Sequence, residues 1–191
     1  MSFTPPVNAI TYLLRHSVDI DALRALPQHA ELSDELITDI LAGGSAFAQD
    51  VLAPINRAGD EHGSVLKDGK VITAPGFKEA YKAYTEAGWQ GLSARAELGG
   101  MALPQTVSVA TTEMFHAANM AFGLCPMLTG SASNAIFAHA SDDLKDMYLP
   151  KMKSIYTEHK VILPQNIDCG KWNFKPLQLQ VAYLKSLEKP H

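Results

Sequence analysis

The segment that most constrains this chain is an amphipathic helix that begins after Ser33. Serine is a favourable N-cap residue because its side-chain oxygen accepts a hydrogen bond from a free N–H of the first turn. Apolar side chains then recur at helical spacing over residues 36–55, which predicts one helix of about twenty residues. Gly43-Gly44 interrupts it at a cost of about 1 kcal/mol per glycine relative to alanine. Such a pair either permits a close helix crossing or marks a kink.

Similar patterns predict further helices on both sides of this segment, two of which are separated by a break over residues 123–127. These helices are expected over residues 7–16, 20–26, 75–87, 104–122 and 128–139, followed by a short one from 142 that Pro150 ends. Asp68-Gly69 separates two short apolar runs within residues 65–72, and this pair favours the positive φ angles of a tight β-hairpin turn. Gly88 suits the position just past a helix end.

The pattern predicts an all-α fold with one small β-hairpin and an irregular C-terminal tail. We expect roughly five or six helices in a domain over residues 1–153. The period of 3.6 is lost near residue 154, so residues 154–191 form a tail of uncertain structure, with a short helix near 180–187 as its one candidate element.

Composition excludes several classes of protein. With 191 residues and 47% hydrophobic content the chain can build one core without disulfides, and its net charge of −4 argues against nucleic acid as a partner. The most apolar stretch, residues 117–128, is too short to span a bilayer. The sequence does not open with a basic segment followed by an apolar block, the pattern of a secretory signal, so we expect a cytoplasmic protein. Cys125 and Cys169 are then expected to be reduced thiols without a functional role.

Residue chemistry alone indicates no catalytic or metal site. Glu113 and His116 stand three residues apart, the spacing that di-iron bundles use twice, but the step occurs only once, so an ordinary surface pair explains it better. Ser131 and Ser133 lack a nucleophile-elbow motif, and Gly99-Gly100 lacks a dinucleotide-binding context. The chemistry of these residues therefore indicates a helical domain and assigns it no function.

Several stretches resemble the acyl-CoA dehydrogenase family. They carry the family's helix and Gly-aromatic turn, its Gly-Gly loop, and the helix that leads into its middle domain. The matching stretches are residues 81–92, 97–104, 113–129 and 139–152. The opening residues 3–6 and the run at 53–60 are similar to one branch, the methylmercaptopropionyl-CoA dehydrogenase-like enzymes. Together the resemblance covers roughly residues 3–153.

The resemblance implies an FAD enzyme of fatty acid metabolism that oxidises an acyl-CoA thioester between its α and β carbons. In the family a glutamate removes the α-proton, the flavin accepts the β-hydride, and an electron-transferring flavoprotein then accepts the electrons. In the family, the helical N-terminal domain forms a wall of the pocket that binds the acyl chain. By position, residues 124–130 resemble that wall, which makes Met127, Leu128 and Thr129 the candidate substrate contacts. Ordinary core packing at a helix start is the alternative.

The chain departs from the family pattern after residue 152. Gly170-Lys171-Trp172 comes late, and residues 173–176 replace the family's Thr-Glu-Pro motif at the flavin. The flavin-binding segment and the catalytic glutamate have no counterpart, so no catalytic residue is assigned. We therefore expect a truncated or frameshifted member of the family, inactive alone and homo-oligomeric. A helical binding or assembly module, and one piece of a split dehydrogenase, remain the alternatives.

Overall fold

The structure, a computed structural model, describes residues 3–157. These residues form eight α-helical segments, a π-helical segment, three short 3₁₀ turns and two strands. The helices are α1 (Val7–His16), α2 (Ile20–Arg24), α3 (Asp34–Phe47), α4 (Ala53–His62), α5 (Phe77–Glu86), α6 (Gln105–Ala118), α7 (Met120–His139) and α8 (Asp142–Thr157), and the strands are β1 (Val65–Lys67) and β2 (Lys70–Ile72). The prediction of an all-α fold with one hairpin is confirmed, although the described residues contain more helical segments than the five or six expected.

The central helix begins as the sequence predicts and then runs further. The Leu36 N–H donates to Ser33 Oγ at 3.1 Å, which is the expected cap. The π-helical segment Ala48–Leu52 joins α3 to α4, so the helix continues over Asp34–His62, 29 residues. A π turn is wider than an α turn. We attribute the continuation through Pro54 to this extra width, because the proline ring otherwise clashes with the preceding turn.

The glycine pair in α3 serves a close helix crossing. A Cβ added at Gly44 would lie 3.1 Å from the Met114 methyl and 3.3 Å from the Thr111 methyl of α6. Gly44, Thr111 and Met114 are all buried, and α3 and α6 pack against each other at this point. Of the two alternatives, the crossing is therefore correct, and the departure from α-helical geometry comes only at Ala48.

The hairpin is a separate unit of the described chain. Val65 pairs with Ile72 and Leu66 with Val71 in an antiparallel register. Asp68 and Gly69 have φ angles of 51° and 72°, so the predicted turn is confirmed.

Two helix boundaries were predicted wrongly. The predicted break at residues 123–127 is absent, because Asn119 ends α6 and caps α7, and Pro126 lies inside α7. Pro150 does not end α8, whose backbone stays helical to Thr157. A proline removes only one helical hydrogen bond, and tertiary packing of the helix can outweigh this cost of about 3 kcal/mol.

The domain boundary after residue 153 stays a prediction. α8 crosses that position, and the tail from residue 158 onward, including the candidate helix near 180–187, lies outside the described residues. Within the described part, one helix, Asp34–His62, is long and apolar enough to cross a membrane by length and composition alone. Its buried side chains include Ile40, Leu41 and Leu52, and core helices pass the same test.

Candidate functional site

A cleft of about 500 Å³ lies among α5, the loop that follows it, α6 and α7. Its floor is aromatic and its rim is mostly polar. The floor residues are Tyr81, Tyr84, Trp89, Phe115 and Phe122, and the rim includes Gln90, Ser93, Gln105, Ser108, Thr112, Glu113, Ser131 and Asn134.

The floor is a set of rings in edge contact. Trp89 meets Phe115 with ring centroids 5.4 Å apart at 76°, and Tyr84 meets Phe122 at 5.6 Å and 69°. Such edge-to-face pairs contribute about 0.5–1.5 kcal/mol each beyond their area burial. Gly88, with φ of 75°, ends α5 and lets the chain turn so that Trp89 follows at once. The floor is therefore a continuous surface of packed aromatic rings.

Asn119 fixes the helix that forms one wall of the cleft. It is 1% exposed, accepts a hydrogen bond from the Phe122 N–H at 3.0 Å and donates to the Leu52 carbonyl at 3.3 Å. One side chain thereby caps α7 and ties it to the end of the π-helical segment. The position of the α7 wall consequently depends on this buried amide.

α7 approaches α6 closely where His116 meets Gly123. A Cβ added at Gly123 would overlap the imidazole ring of His116. Both residues line the cleft, and Gly123 is buried. A glycine at this position permits the two helices to lie against each other beside the cleft.

Two of the three predicted substrate contacts line the cleft. Met127 and Thr129 are lining residues, whereas Leu128 is 54% exposed and is not among them. All three lie inside α7. The alternative interpretation, core packing at a helix start, was therefore wrong about the helix start. Met127 is 45% exposed, which is unlike a core side chain. Their role in substrate binding stays a prediction.

Glu113 and His116, interpreted from the sequence as a surface pair, both line the cleft. The lining residues include no lysine or arginine, and Glu113 is the one acidic residue among them. Within residues 3–157 no group of three or more His, Cys, Asp or Glu residues is placed to hold a metal ion. The cleft therefore suits a group that is largely apolar and carries no negative charge.

The aromatic floor was missed from the sequence. Its residues come from α5, the following turn, α6 and α7, and they converge only through the tertiary fold. The signal that was available is the spacing of Tyr81 and Tyr84, which places both on one face of α5.

Comparison with known proteins identifies the domain. The model of the acyl-CoA dehydrogenase N-terminal domain matches residues 38–155, which contain the whole cleft. The chain belongs to the acyl-CoA dehydrogenase family. It is 36% identical over 152 residues to the 3-methylmercaptopropionyl-CoA dehydrogenase of Ruegeria pomeroyi, covering 80% of this chain and 26% of that protein. It is also 36% identical over 110 residues to a butyryl-CoA dehydrogenase of Syntrophomonas wolfei, covering 56% and 18%.

The chain thus spans about a quarter of the length of the first of these acyl-CoA dehydrogenases. The expected family and the helical N-terminal fold are confirmed.

Proposed function

We propose that this chain is the N-terminal portion of a flavin-dependent acyl-CoA dehydrogenase, and that its cleft receives the acyl end of the thioester. The observation that supports this most is the aromatic floor between α6 and α7, inside the segment that matches the family. An apolar chain that enters such a cleft leaves water, which contributes about 25 cal/mol per Å² of apolar surface buried.

The charge of the cleft supports binding of the acyl end and not of the coenzyme A phosphates. Glu113 repels phosphate groups, and the lining residues offer no lysine or arginine to neutralise them. The two relatives are named for butyryl and 3-methylmercaptopropionyl thioesters, both of which carry short acyl groups. We therefore propose a short acyl group, with Met127 and Thr129 on the α7 wall beside it.

The described residues do not fit a flavin dinucleotide. Its pyrophosphate needs basic side chains or a set of converging N–H donors. The cleft offers a carboxylate instead, at Glu113. We propose that FAD, the catalytic base and the surface for an electron-transferring flavoprotein belong to other parts of the complete enzyme. On this proposal the chain alone does not dehydrogenate its substrate, and it acts in the cytoplasm in fatty acid metabolism.

The test is titration of the dilute chain with butyryl-CoA, followed by the fluorescence of Trp89 in a variant whose Trp172 is replaced by phenylalanine. We expect saturable binding that coenzyme A alone does not reproduce. Met127→Glu places a second carboxylate in the cleft and should weaken binding at least tenfold. Leu128→Glu is the matched control, since Leu128 lies outside the cleft, and it should change the affinity less than twofold. Equal effects of the two substitutions would refute the proposed acyl site.

The flavin part of the proposal has its own measurement. After incubation with FAD and desalting, the purified chain should show no flavin absorption. A retained flavin band would mean that this chain holds the cofactor, and the assignment of FAD to other parts of the enzyme would be wrong.

A split dehydrogenase is the second candidate, because the chain covers only 26% of one relative. In that case a separate polypeptide supplies the flavin site. Co-purification of the tagged chain from its native host should then recover a yellow complex, and recovery of the colourless chain alone would exclude this candidate.

A further inference from the structure

The aromatic rings of the cleft floor are steeply inclined to one another. The ring planes of Trp89 and Phe115 make an angle of 76°. Tyr84 meets Phe115 at 75° and Phe122 at 69°. Rings arranged in this way present surfaces of different orientation, so a compact group in the cleft can contact more than one of them.

Trp89 is the least buried of the five floor rings. The other four are buried, with at most 8% of their surface exposed, whereas Trp89 is half-buried and lines the cleft. Its six-membered ring packs against α3, because a Cβ added at Gly43 would lie 3.4 Å from Trp89 Cη2. Among aromatic side chains, tryptophan attracts a cation most strongly to its ring face.

The charged side chain of the cleft adds to this attraction. Glu113 is exposed, lies on α6 as Phe115 does, and has no lysine or arginine with it among the lining residues. A neutral acyl chain gains nothing from a carboxylate. A cation with carbon substituents gains from both features, because the carboxylate and the ring face attract its charge while its methyl groups are buried against the rings.

We propose that the cleft selects acyl groups whose end carries an onium cation, that is, a quaternary ammonium or a tertiary sulfonium centre. Such a centre has no N–H group to donate, so it can leave water for an aromatic surface without losing hydrogen bonds of its own. The inference rests on the proposed acyl site and adds the chemical class of the acyl end that this site prefers.

The test compares two thioesters of the same shape. In 4-(trimethylammonio)butyryl-CoA the branched atom is a nitrogen cation, and in 5,5-dimethylhexanoyl-CoA it is carbon, so a difference in affinity reports the charge. The full chain is titrated with each by calorimetry at about pH 8, above the ordinary titration range of imidazole, because His116 also lines the cleft. We expect the ammonium thioester to bind roughly tenfold more tightly, and this preference should shrink at high salt.

Two substitutions test the residues that carry the preference. Trp89→Leu keeps an apolar side chain but removes the ring, so the preference should fall to about twofold or less. Glu113→Gln removes the charge at an exposed position where the fold tolerates a change, and it should lower the preference by about two- to threefold. Glu79→Gln is the matched control, because Glu79 is exposed on α5 and does not line the cleft, and it should leave the preference unchanged.

The outcomes separate this inference from the proposed function. Equal affinities of the two thioesters, or tighter binding of the neutral one, would overturn the onium preference and leave the acyl site standing. A preference that survives both Trp89→Leu and Glu113→Gln would also overturn it, since the charge would then act outside the cleft. If butyryl-CoA and both test thioesters fail to bind, the acyl site and the onium preference are both refuted.

Discussion

Replacing Asn119 by alanine should destabilise the domain more than the loss of an ordinary helix cap. Asn119 is 1% exposed and makes two hydrogen bonds, one to the Phe122 N–H and one to the Leu52 carbonyl. Alanine can make neither bond. The site is buried between α7 and the π-helical segment, so neither partner gains a direct replacement from bulk water.

The magnitude follows from the two bonds taken separately. Loss of an asparagine N-cap costs about 1 kcal/mol. A buried carbonyl that loses a hydrogen-bond partner costs about another 1–2 kcal/mol. The expected total for Asn119→Ala is therefore about 2–3 kcal/mol, which corresponds to a fall in melting temperature of roughly 5–10 °C for a domain of this size.

The assay is urea unfolding followed by far-ultraviolet circular dichroism. The midpoint should fall while the slope of free energy against urea stays unchanged, since the native surface is the same. Asn119→Ser keeps a capping oxygen but is too short to reach Leu52, so it should lose about half as much stability. Asn56→Ala on the exposed face of α4 is the control and should stay within about 0.5 kcal/mol. A loss below 0.5 kcal/mol for Asn119→Ala would refute the structural role argued for this amide.

Three further predictions test other contacts. Gly123→Ala should destabilise the fold, because the added methyl group overlaps the His116 ring. His116→Ala in the same chain should restore stability. A double-mutant cycle should then give a coupling energy of about 1 kcal/mol or more between the two positions. Arg24 donates to Asp34 at 2.6 Å and holds the pKa of that carboxyl below its ordinary value of 3.8. The stability that this ion pair provides is present above pH 3.8 and is lost as the pH falls through the lower folded pKa. The difference in free energy of unfolding between the wild type and Arg24→Gln should therefore disappear only in that acid range. A difference that persists in strong acid would contradict this. Partial burial of the sulfur raises the pKa of the Cys125 thiol. In a chain lacking the other cysteine, Cys125 should therefore react with a maleimide near pH 7 more slowly than a free thiol, and equal rates would contradict this.

Local signals predicted the elements whose cause is local. Ser33 caps α3 through its own side chain, and Asp68-Gly69 forms its turn through its own backbone angles. Neither feature needs information from elsewhere in the chain. The family resemblance rests on ordered local motifs as well, and the match over residues 38–155 confirms it.

The errors arose where a distant contact decides the outcome. Asn119 is a favourable N-cap residue, but helix-compatible residues surround it, and its position is also fixed by its bond to Leu52, which is 67 residues away in sequence. Pro126 and Pro150 were interpreted as breakers from their local chemistry alone, but both lie inside helices. The cleft floor was missed for the same reason, since its five rings come from four separate parts of the chain.

α7 connects these observations with the comparisons. A helix of this composition is expected in a core, and the described residues cover only a narrow part of its surface. The Ruegeria pomeroyi relative is about four times as long as the segment it shares with this chain, so in that protein more polypeptide is available to cover the helix. A sequence pattern reports how much apolar surface a helix must bury, but not which chain buries it.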